Sequence, residues 1–193
     1  MSSSRNQRYL ALDFELTCWD GDIPPGMRPE IIEIGLVEAN SLSHAIEREV
    51  RFLVRPTRSE ISPFCESLTG ITPAEMKTHG RPLAEVMRSI KAFGPTNKKL
   101  VTWGDDWGAL ARDCADAGVE NPFPRSNLID IGTLYGLVRV SSARPSLEDA
   151  LASFGRAFEG QKHRAVIDAR NTVRLFAAML ESMRDRLQVT HAL

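Results

Sequence analysis

The sequence is short of several features, and each shortage removes a class of function. Its 193 residues hold 24 Lys and Arg against 25 Asp and Glu, a formal charge of −1 at pH 7. That balance excludes a broad basic surface of the kind that binds duplexes through their phosphates. No stretch approaches the roughly 18 consecutive apolar residues of a membrane-spanning helix. We therefore expect neither a protein that binds along nucleic-acid duplexes nor a membrane protein.

Cysteine is also scarce. Cys18, Cys65 and Cys114 are widely spaced and form no CxxC pair, so the sequence indicates neither a zinc site nor a thiol redox centre. The polar N-terminus lacks the apolar core of a signal peptide. We expect three free cysteines, a reducing compartment and a cytoplasmic location.

Hydrophobic patterning predicts an α/β protein. Apolar runs and alternating patterns predict five strands, at residues 9–15, 31–37, 48–54, 99–103 and 128–131. Helical patterns predict six helices, at residues 63–68, from Thr72-Pro73, at 82–93, 106–117, 146–154 and 163–183. Strands first, then strands alternating with helices, predict a mixed five-stranded sheet with helices on both faces. We expect a single domain over residues 9–187, a disordered N-terminal tail at 1–8 and a C-terminal tail at 188–193.

Two acids stand at the end of the first predicted strand. In Asp13-Phe14-Glu15 the carboxylates are two positions apart, and side chains alternate along a strand, so both lie on one side of the sheet. Two anions this close stay ionised when a cation lies between them. Carboxylate oxygens without a thiolate or histidine cluster favour magnesium or manganese over zinc. An Asp-x-Glu pair also occurs at ordinary exposed strand ends.

Further acids follow in two other places. The fourth predicted strand runs into Gly104-Asp105-Asp106, and His163 stands five residues before Asp168 in the last predicted helix. Five residues turn an ideal helix by about 500°, so these two side chains share no face unless the helix begins between them. Taken singly, each of these residues has an ordinary interpretation as a helix cap or a first-turn acid.

Together the three acidic segments resemble, in order and spacing, the motifs of the DEDDh family of 3′–5′ exonucleases, which adopt a ribonuclease-H-like fold. The resemblance runs from about residue 9 to 176 and points to the branch that includes the histone-mRNA 3′-exonuclease, the enhanced-RNAi exonucleases and their bacterial relatives. It is carried by the segments DFELTC (13–18), EIIEIG (30–35), VRP (54–56), FCESLTGIT (64–72), TWG (102–104), GQKH (160–163) and DARN (168–171).

The resemblance implies a role for each site residue. Four acids would hold two divalent ions, Mg²⁺ or Mn²⁺, around the scissile phosphate: Asp13, Glu15, Asp106 and Asp168. His163 would be the general base, since residue 164 is Arg where the DEDDy branch has tyrosine. Asp105 is the alternative third acid, and the spacing to Leu110 favours Asp106.

The resemblance also implies contacts with the terminal nucleotide. The backbone of Leu16 and Thr17 would meet that nucleotide, Leu68 would pack against its base, and Trp103 would lie nearby. Core packing is an equally good interpretation of Leu68 and of Trp103. Leu16 replaces the alanine that is usual in the family, which makes the wall beside the terminal base bulkier.

We therefore expect a metal-dependent 3′–5′ exonuclease that releases nucleoside 5′-monophosphates from single-stranded 3′ ends, of RNA in preference to DNA. Such sites rely on stacking and a few backbone contacts and need no strongly basic protein. One alternative is a single-strand DNA exonuclease in repair or proofreading, which a contact to the 2′-hydroxyl would distinguish. The other is a non-catalytic nucleic-acid-binding domain, against which the presence of all five site residues argues. The sequence does not identify protein partners.

Overall fold

The computed structural model describes residues 7–139 and 144–190, with side chains as far as residue 184. Five strands form one sheet: β1 (Arg8–Leu16), β2 (Ile31–Asn40), β3 (Ile46–Leu53), β4 (Lys99–Thr102) and β5 (Leu128–Asp130). Their order is β3-β2-β1-β4-β5. The pairs β1/β2 and β2/β3 are antiparallel, and β1/β4 and β4/β5 are parallel. The mixed five-stranded sheet predicted from the sequence is confirmed.

Seven α-helices surround this sheet in the part of the chain that the structure describes. They are α1 (Pro63–Thr69), α2 (Pro73–His79), α3 (Leu83–Ile90), α4 (Asp106–Ala117), α5 (Ile131–Arg139), α6 (Leu147–Ala152) and α7 (Ala165–Thr190). The predicted helix at 82–93 ends as a 3₁₀ turn, Lys91–Phe93, which Gly94 closes in a left-handed conformation. Thr72 caps α2, with Pro73 in its first turn, as predicted. Helix α5 is not among the predicted helices.

The two faces of the sheet carry separate hydrophobic cores. On one face, Leu10 and Leu12 of β1 belong to a core that includes buried residues of α3 and α4. On the other, Tyr9 and Ala11 belong to a core that includes buried residues of α5, α6 and α7. Because side chains alternate along a strand, the odd-numbered acids that follow Ala11 project toward α7. The prediction of helices on both faces is confirmed.

The ends of the described chain differ slightly from the predicted tails. Strand β1 begins at Arg8, and α7 runs to Thr190, while residues 1–6 and 191–193 lie outside the described residues. Cys18, Cys65 and Cys114 are free, and the last two are buried. Within the described ranges, no helix combines the length and the apolar character needed to cross a membrane.

Candidate active site

The acids of the sequence motifs meet where the parallel strands β1 and β4 end. The side chains of Asp13 and Glu15 project from β1 on the face that α7 covers, and Asp168 lies in the first turn of α7. One carboxylate oxygen from each of these three residues lies within 4.8 Å of the other two. The structure therefore brings the Asp-x-Glu pair together with the last acid of the motifs.

The acids of this cluster are buried close together, and the nearby Arg164 and His163 offset only part of their effect on one another. Burial, followed by the charges of Asp168 and Glu33, raises the pKa of Glu15 from 4.5 to about 8. Burial, followed by the charges of Asp106 and Asp168, raises the pKa of Asp13 well above its ordinary value. A nearby cation favours the ionised form of carboxylates whose pKa is raised in this way. The donor set, composed of carboxylate oxygens, fits a hard divalent ion such as Mg²⁺ or Mn²⁺.

Asp105 and Asp106 have different environments at the start of α4. Asp105 is the N-cap, and its side chain accepts a hydrogen bond of 3.2 Å from the backbone N–H of Gly108. Asp106 lies outside the group of three acids, yet it is the first of the neighbouring charges that raise the pKa of Asp13. Burial raises the pKa of Asp106 itself to about 7. These environments support Asp106, and not Asp105, as the fourth acid of the site.

His163 lies in the loop before α7, with an exposed side chain and a left-handed backbone conformation (φ 60°). The helix begins two residues later, at Ala165, and the backbone N–H of Arg164 donates to Oδ2 of Asp168 at 3.0 Å. Burial raises the pKa of Asp168, although this hydrogen bond and the charge of His163 act in the opposite direction. The helix thus begins between His163 and Asp168, and His163 lies close enough to Asp168 for its charge to act on that carboxylate.

Thr17 is tied into the fold at the end of β1. Its side chain is fully buried, and its Oγ1 accepts from the N–H of Glu30 at 2.9 Å and donates to the carbonyl of Arg28 at 3.2 Å. Its own N–H donates to the carbonyl of Glu30. Leu16 is partly exposed and is the better placed of the two residues for contact with a nucleotide. That contact stays a prediction.

Leu68 lies on the surface of α1. It is 37% exposed, and Phe64, one turn earlier on the helix, is 40% exposed. The adjacent Gly70 borders the loop before α7, because a Cβ placed there would lie 3.7 Å from Nη1 of Arg164. Leu68 is therefore not a core residue, and its exposure beside the α7 loop favours the substrate-contact interpretation.

Trp103 follows β4 directly and is partly buried. Its ring packs edge to face against Tyr135, with the centroids 5.6 Å apart, and it contacts the core on the α7 side of the sheet. Core packing thus accounts for part of this ring, while its position at the end of β4 places it near the acids.

Glu33 is an acid of the site region to which the sequence analysis assigned no role. It stands directly across from Glu15 in the β1/β2 register and is fully buried. Its charge contributes to the raised pKa values of Asp13, Glu15 and Asp168. The available signal was a charged residue within the apolar run Ile31-Ile32-Glu33-Ile34, since a carboxylate buried between apolar neighbours needs partners.

Strand order and the placement of the acids together define the class of this protein, a ribonuclease-H-like nuclease of the DEDDh type. Comparison with solved structures agrees. The nuclease domain of 3′hExo, a DEDDh family member crystallised with rAMP, superposes with a TM-score of 0.81 at 27% identity, covering 94% of this chain and 95% of that one. A 3′-exonuclease described as recognising the histone mRNA stem-loop has a TM-score of 0.79 at 27% identity, covering 93% of this chain and 84% of that one.

The Exonuclease family, RNase_T, matches residues 10–176, and the chain belongs to this family. The 3′–5′ exonuclease Snipper of Drosophila melanogaster is 34% identical over 200 residues, 91% of this chain and 69% of that protein. Human 3′–5′ exoribonuclease 1 is 29% identical over 180 residues, 88% of this chain and 51% of that protein. The chain thus spans about half of the human relative's length. The resemblance to this branch of the DEDDh exonucleases, which use divalent metal ions, is confirmed.

Proposed function

We propose that the chain is a metal-dependent exoribonuclease that shortens single-stranded RNA from its 3′-hydroxyl end and releases nucleoside 5′-monophosphates. One observation carries the proposal: the Asp13, Glu15 and Asp168 oxygens within 4.8 Å of one another. The raised pKa values of these acids support it, because they mark a concentration of negative charge that a cation would neutralise.

Four acids would hold the metal ions, which are Mg²⁺ or Mn²⁺ in this proposal: Asp13, Glu15 and Asp168 as the central group and Asp106 beside it. Two such ions, when bound, supply positive charge to the attacking and leaving oxygens of an in-line displacement. Asp13 and Glu15 are held on a central strand of the sheet, between β2 and β4. This placement would keep the metal-binding carboxylates fixed while the RNA is shortened.

His163 is proposed as the general base that takes a proton from the attacking water. A neutral imidazole carries one ring nitrogen without a proton, which can accept a proton from water. The side chain is exposed, which lets it return that proton to solvent. Its neighbour Asp168 belongs to the central group of acids, so the base stands beside the proposed metal site.

The terminal nucleotide would meet apolar surface beside this site. Leu68 and Phe64 are exposed large apolar side chains on α1, and Trp103 lies at the end of β4. Base stacking on aromatic rings such as Phe64, with apolar packing against Leu68, would bind single strands without a strongly basic surface. RNA is favoured over DNA because a human relative is named an exoribonuclease and a structural neighbour contains rAMP.

The proposal is tested with 5′-labelled RNA and DNA oligonucleotides of one sequence, each with a free 3′-hydroxyl. We expect stepwise shortening of RNA with Mg²⁺ or Mn²⁺, none with chelator, and nucleoside 5′-monophosphates among the products by mass spectrometry. Equal shortening of both polymers would contradict the RNA preference. If the protein binds RNA but does not shorten it with either metal ion, the exonuclease proposal is rejected in favour of a non-catalytic nucleic-acid-binding domain.

Replacement of the base gives the sharper test. His163→Ala is expected to lower kcat by about 10²- to 10⁴-fold, the usual contribution of general base catalysis, with Mn²⁺ and RNA affinity within about threefold of wild type. His79→Ala is the matched control, since His79 is an exposed histidine at the end of α2. Wild-type kcat in His163→Ala would remove this residue from the mechanism.

A further inference from the structure

Glu33 is a buried carboxylate among other acids, and its contacts lie outside that acidic cluster. The side chain is fully buried on β2 beside Glu15, where one more carboxylate adds to the repulsion between the site acids. Placing a charge there is unfavourable unless the charge is paired and hydrogen-bonded. Glu33 does not belong to the group of oxygens within 4.8 Å. Its contacts are directed instead toward the segment that precedes and begins α7.

Both carboxylate oxygens of Glu33 are engaged. Oε2 accepts a 2.8 Å hydrogen bond from the backbone N–H of Ala165, the first residue of α7. Oε1 accepts from Nε of Arg51 and, at 3.4 Å, from Nη2 of Arg164. The first N–H groups of a helix have no partner within the helix and favour a negative charge. Glu33 therefore binds the first residue of α7 and the residue immediately before it.

The segment that Glu33 holds carries two residues of the proposed site. His163 directly precedes the pair that contacts Glu33, and Asp168 accepts from the backbone N–H of Arg164. The backbone of Ala165 also lies directly on β2, because a Cβ at Gly35 would stand 2.1 Å from its carbonyl carbon. The loop and first turn of α7 are thus fixed against the sheet at one place, and Glu33 provides the polar contacts there.

We propose that Glu33 is a positioning residue of the exonuclease site: it fixes the His163–Asp168 segment against β2, beside the acids of β1, and does not itself bind the metal. This inference rests on the proposed function. The carboxylate acts through the Ala165 N–H and the Arg164 side chain, and Arg51 balances its charge from the other side. Asp168 then lies within reach of Asp13 and Glu15, with His163 beside it.

The test compares Glu33→Gln with a matched control on the same strand, Glu38→Gln. Glu38 is also a buried carboxylate of β2, paired with Lys98 at 2.8 Å. It lies five residues farther along the strand, roughly 17 Å away. Both variants remove one buried charge from β2, and only the first removes it from the α7 contact.

Three readouts separate positioning from simple stability. We expect Glu33→Gln to weaken Mn²⁺ binding, measured by electron paramagnetic resonance, and to lower kcat, each by about 10- to 100-fold as for outer residues of metal sites, with KM for RNA within about threefold. The Hε1 resonance of His163, one of four histidines and assignable through His163→Ala, is expected to shift. Glu38→Gln should leave all three unchanged at temperatures where it is folded.

Wild-type Mn²⁺ affinity and an unshifted His163 resonance in Glu33→Gln would overturn the positioning role. Undetectable Mn²⁺ binding with an unshifted resonance would make Glu33 a ligand and would overturn it as well. If Glu33→Gln does not fold, Glu33→Asp keeps the charge opposite Arg51 and withdraws the carboxylate by one carbon. Its readouts are expected to change in the same directions, and wild-type values would reject the inference.

Failure of the proposed function gives a different result. A wild-type protein that binds Mn²⁺ but shortens no oligonucleotide would reject the exonuclease proposal. The Mn²⁺ affinity and the His163 resonance do not depend on turnover, so they would still decide the role of Glu33.

Discussion

Adjacent residues of identical chemistry have different environments at the start of α4. Asp105 accepts a hydrogen bond from the helix backbone, while Asp106 is electrostatically coupled to Asp13 on β1. The geometry of a helix start explains the difference, because the N-cap side chain turns toward the free N–H groups and the next residue already points outward from the helix axis. The sequence showed two candidates, and the structure gives each a distinct environment.

Substitution by asparagine tests this division. Asp106→Asn is expected to lower kcat on the order of 100-fold, because it removes a charge that would support a metal ion, and to leave thermal stability equal or higher, because the lost carboxylate has a raised pKa. Asp105→Asn is expected to retain kcat within about threefold, since asparagine caps helices as well as aspartate does. Steady-state kinetics and thermal unfolding measure both variants. Loss of kcat in Asp105→Asn alone would reverse the assignment.

The residues that could be predicted from the sequence share a local signal. Asp13 and Glu15 are two positions apart in one strand, so their common face follows from strand geometry. Glu33 has no such neighbour. Its partners Arg51, Arg164 and Ala165 lie 18, 131 and 132 residues away in sequence, and contacts of that range follow from the fold alone.

At the scale of elements, all five strands and the long helices could be predicted because their hydrophobic patterns are regular. Helix α5 could not. Gly132 and Gly136 lower its helix propensity, and Ile131, the first residue of the helix, is predicted as the last residue of the fifth strand. The structure shows what starts the helix: Asp130 accepts hydrogen bonds from the N–H groups of Gly132 and Thr133. A Cβ at Gly132 would lie 2.3 Å from Nε of Arg144, an exposed and flexible side chain that can move aside, so packing does not require glycine there.

Helix α7 is placed on the sheet by a close contact at Gly35. We expect Gly35→Ala to destabilise the protein by about 1–3 kcal/mol, as overpacking does, and to lower kcat at least tenfold by displacing the start of α7. Gly118→Ala is the control: its backbone is left-handed (φ 65°) and its surroundings are open, so it should cost roughly 1–2 kcal/mol through conformation alone.

Thermal unfolding and kcat, measured below both unfolding midpoints, distinguish these two variants. Gly118→Ala is expected to keep wild-type kcat despite its loss of stability. Equal kcat in the two variants would show that α7 can shift on β2 without consequence for the site.

For the whole molecule, the near-zero net charge conceals an uneven distribution. The 25 acids nearly balance the 24 basic residues, yet several of the acids converge at the end of β1. Many of the basic side chains are engaged elsewhere, such as Arg170 with Glu49 and Lys98 with Glu38. If this cluster binds phosphate as proposed, metal ions would supply the positive charge that it needs. The stability of the whole fold should therefore respond to metal and to pH together.

In the metal-free protein, stability should fall as pH rises from about 4.5 to 8. The pKa of Glu15 is raised from 4.5 to about 8 and that of Asp106 from 3.8 to about 7, so the folded state holds more protons than the unfolded state within this window. Metal ions bind the deprotonated carboxylates of the folded state and oppose this loss. At a metal concentration 100 times Kd the gain is about 2.7 kcal/mol, which corresponds to roughly 5–10 °C in Tm for a protein of this size.

We accordingly expect Mg²⁺ or Mn²⁺ to raise Tm by several degrees at pH 8 and by clearly less at pH 5.5, where bound protons compete with the metal. Differential scanning fluorimetry at constant ionic strength, with NaCl replacing the divalent salt, measures the shift. Glu15→Gln is the control, because it removes one ligand together with its raised pKa; it should be more stable than wild type without metal at pH 8 and should gain little from either ion. A shift of equal size at both pH values, or an undiminished shift in Glu15→Gln, would mean that the divalent ions stabilise the fold from somewhere other than the acids at the end of β1.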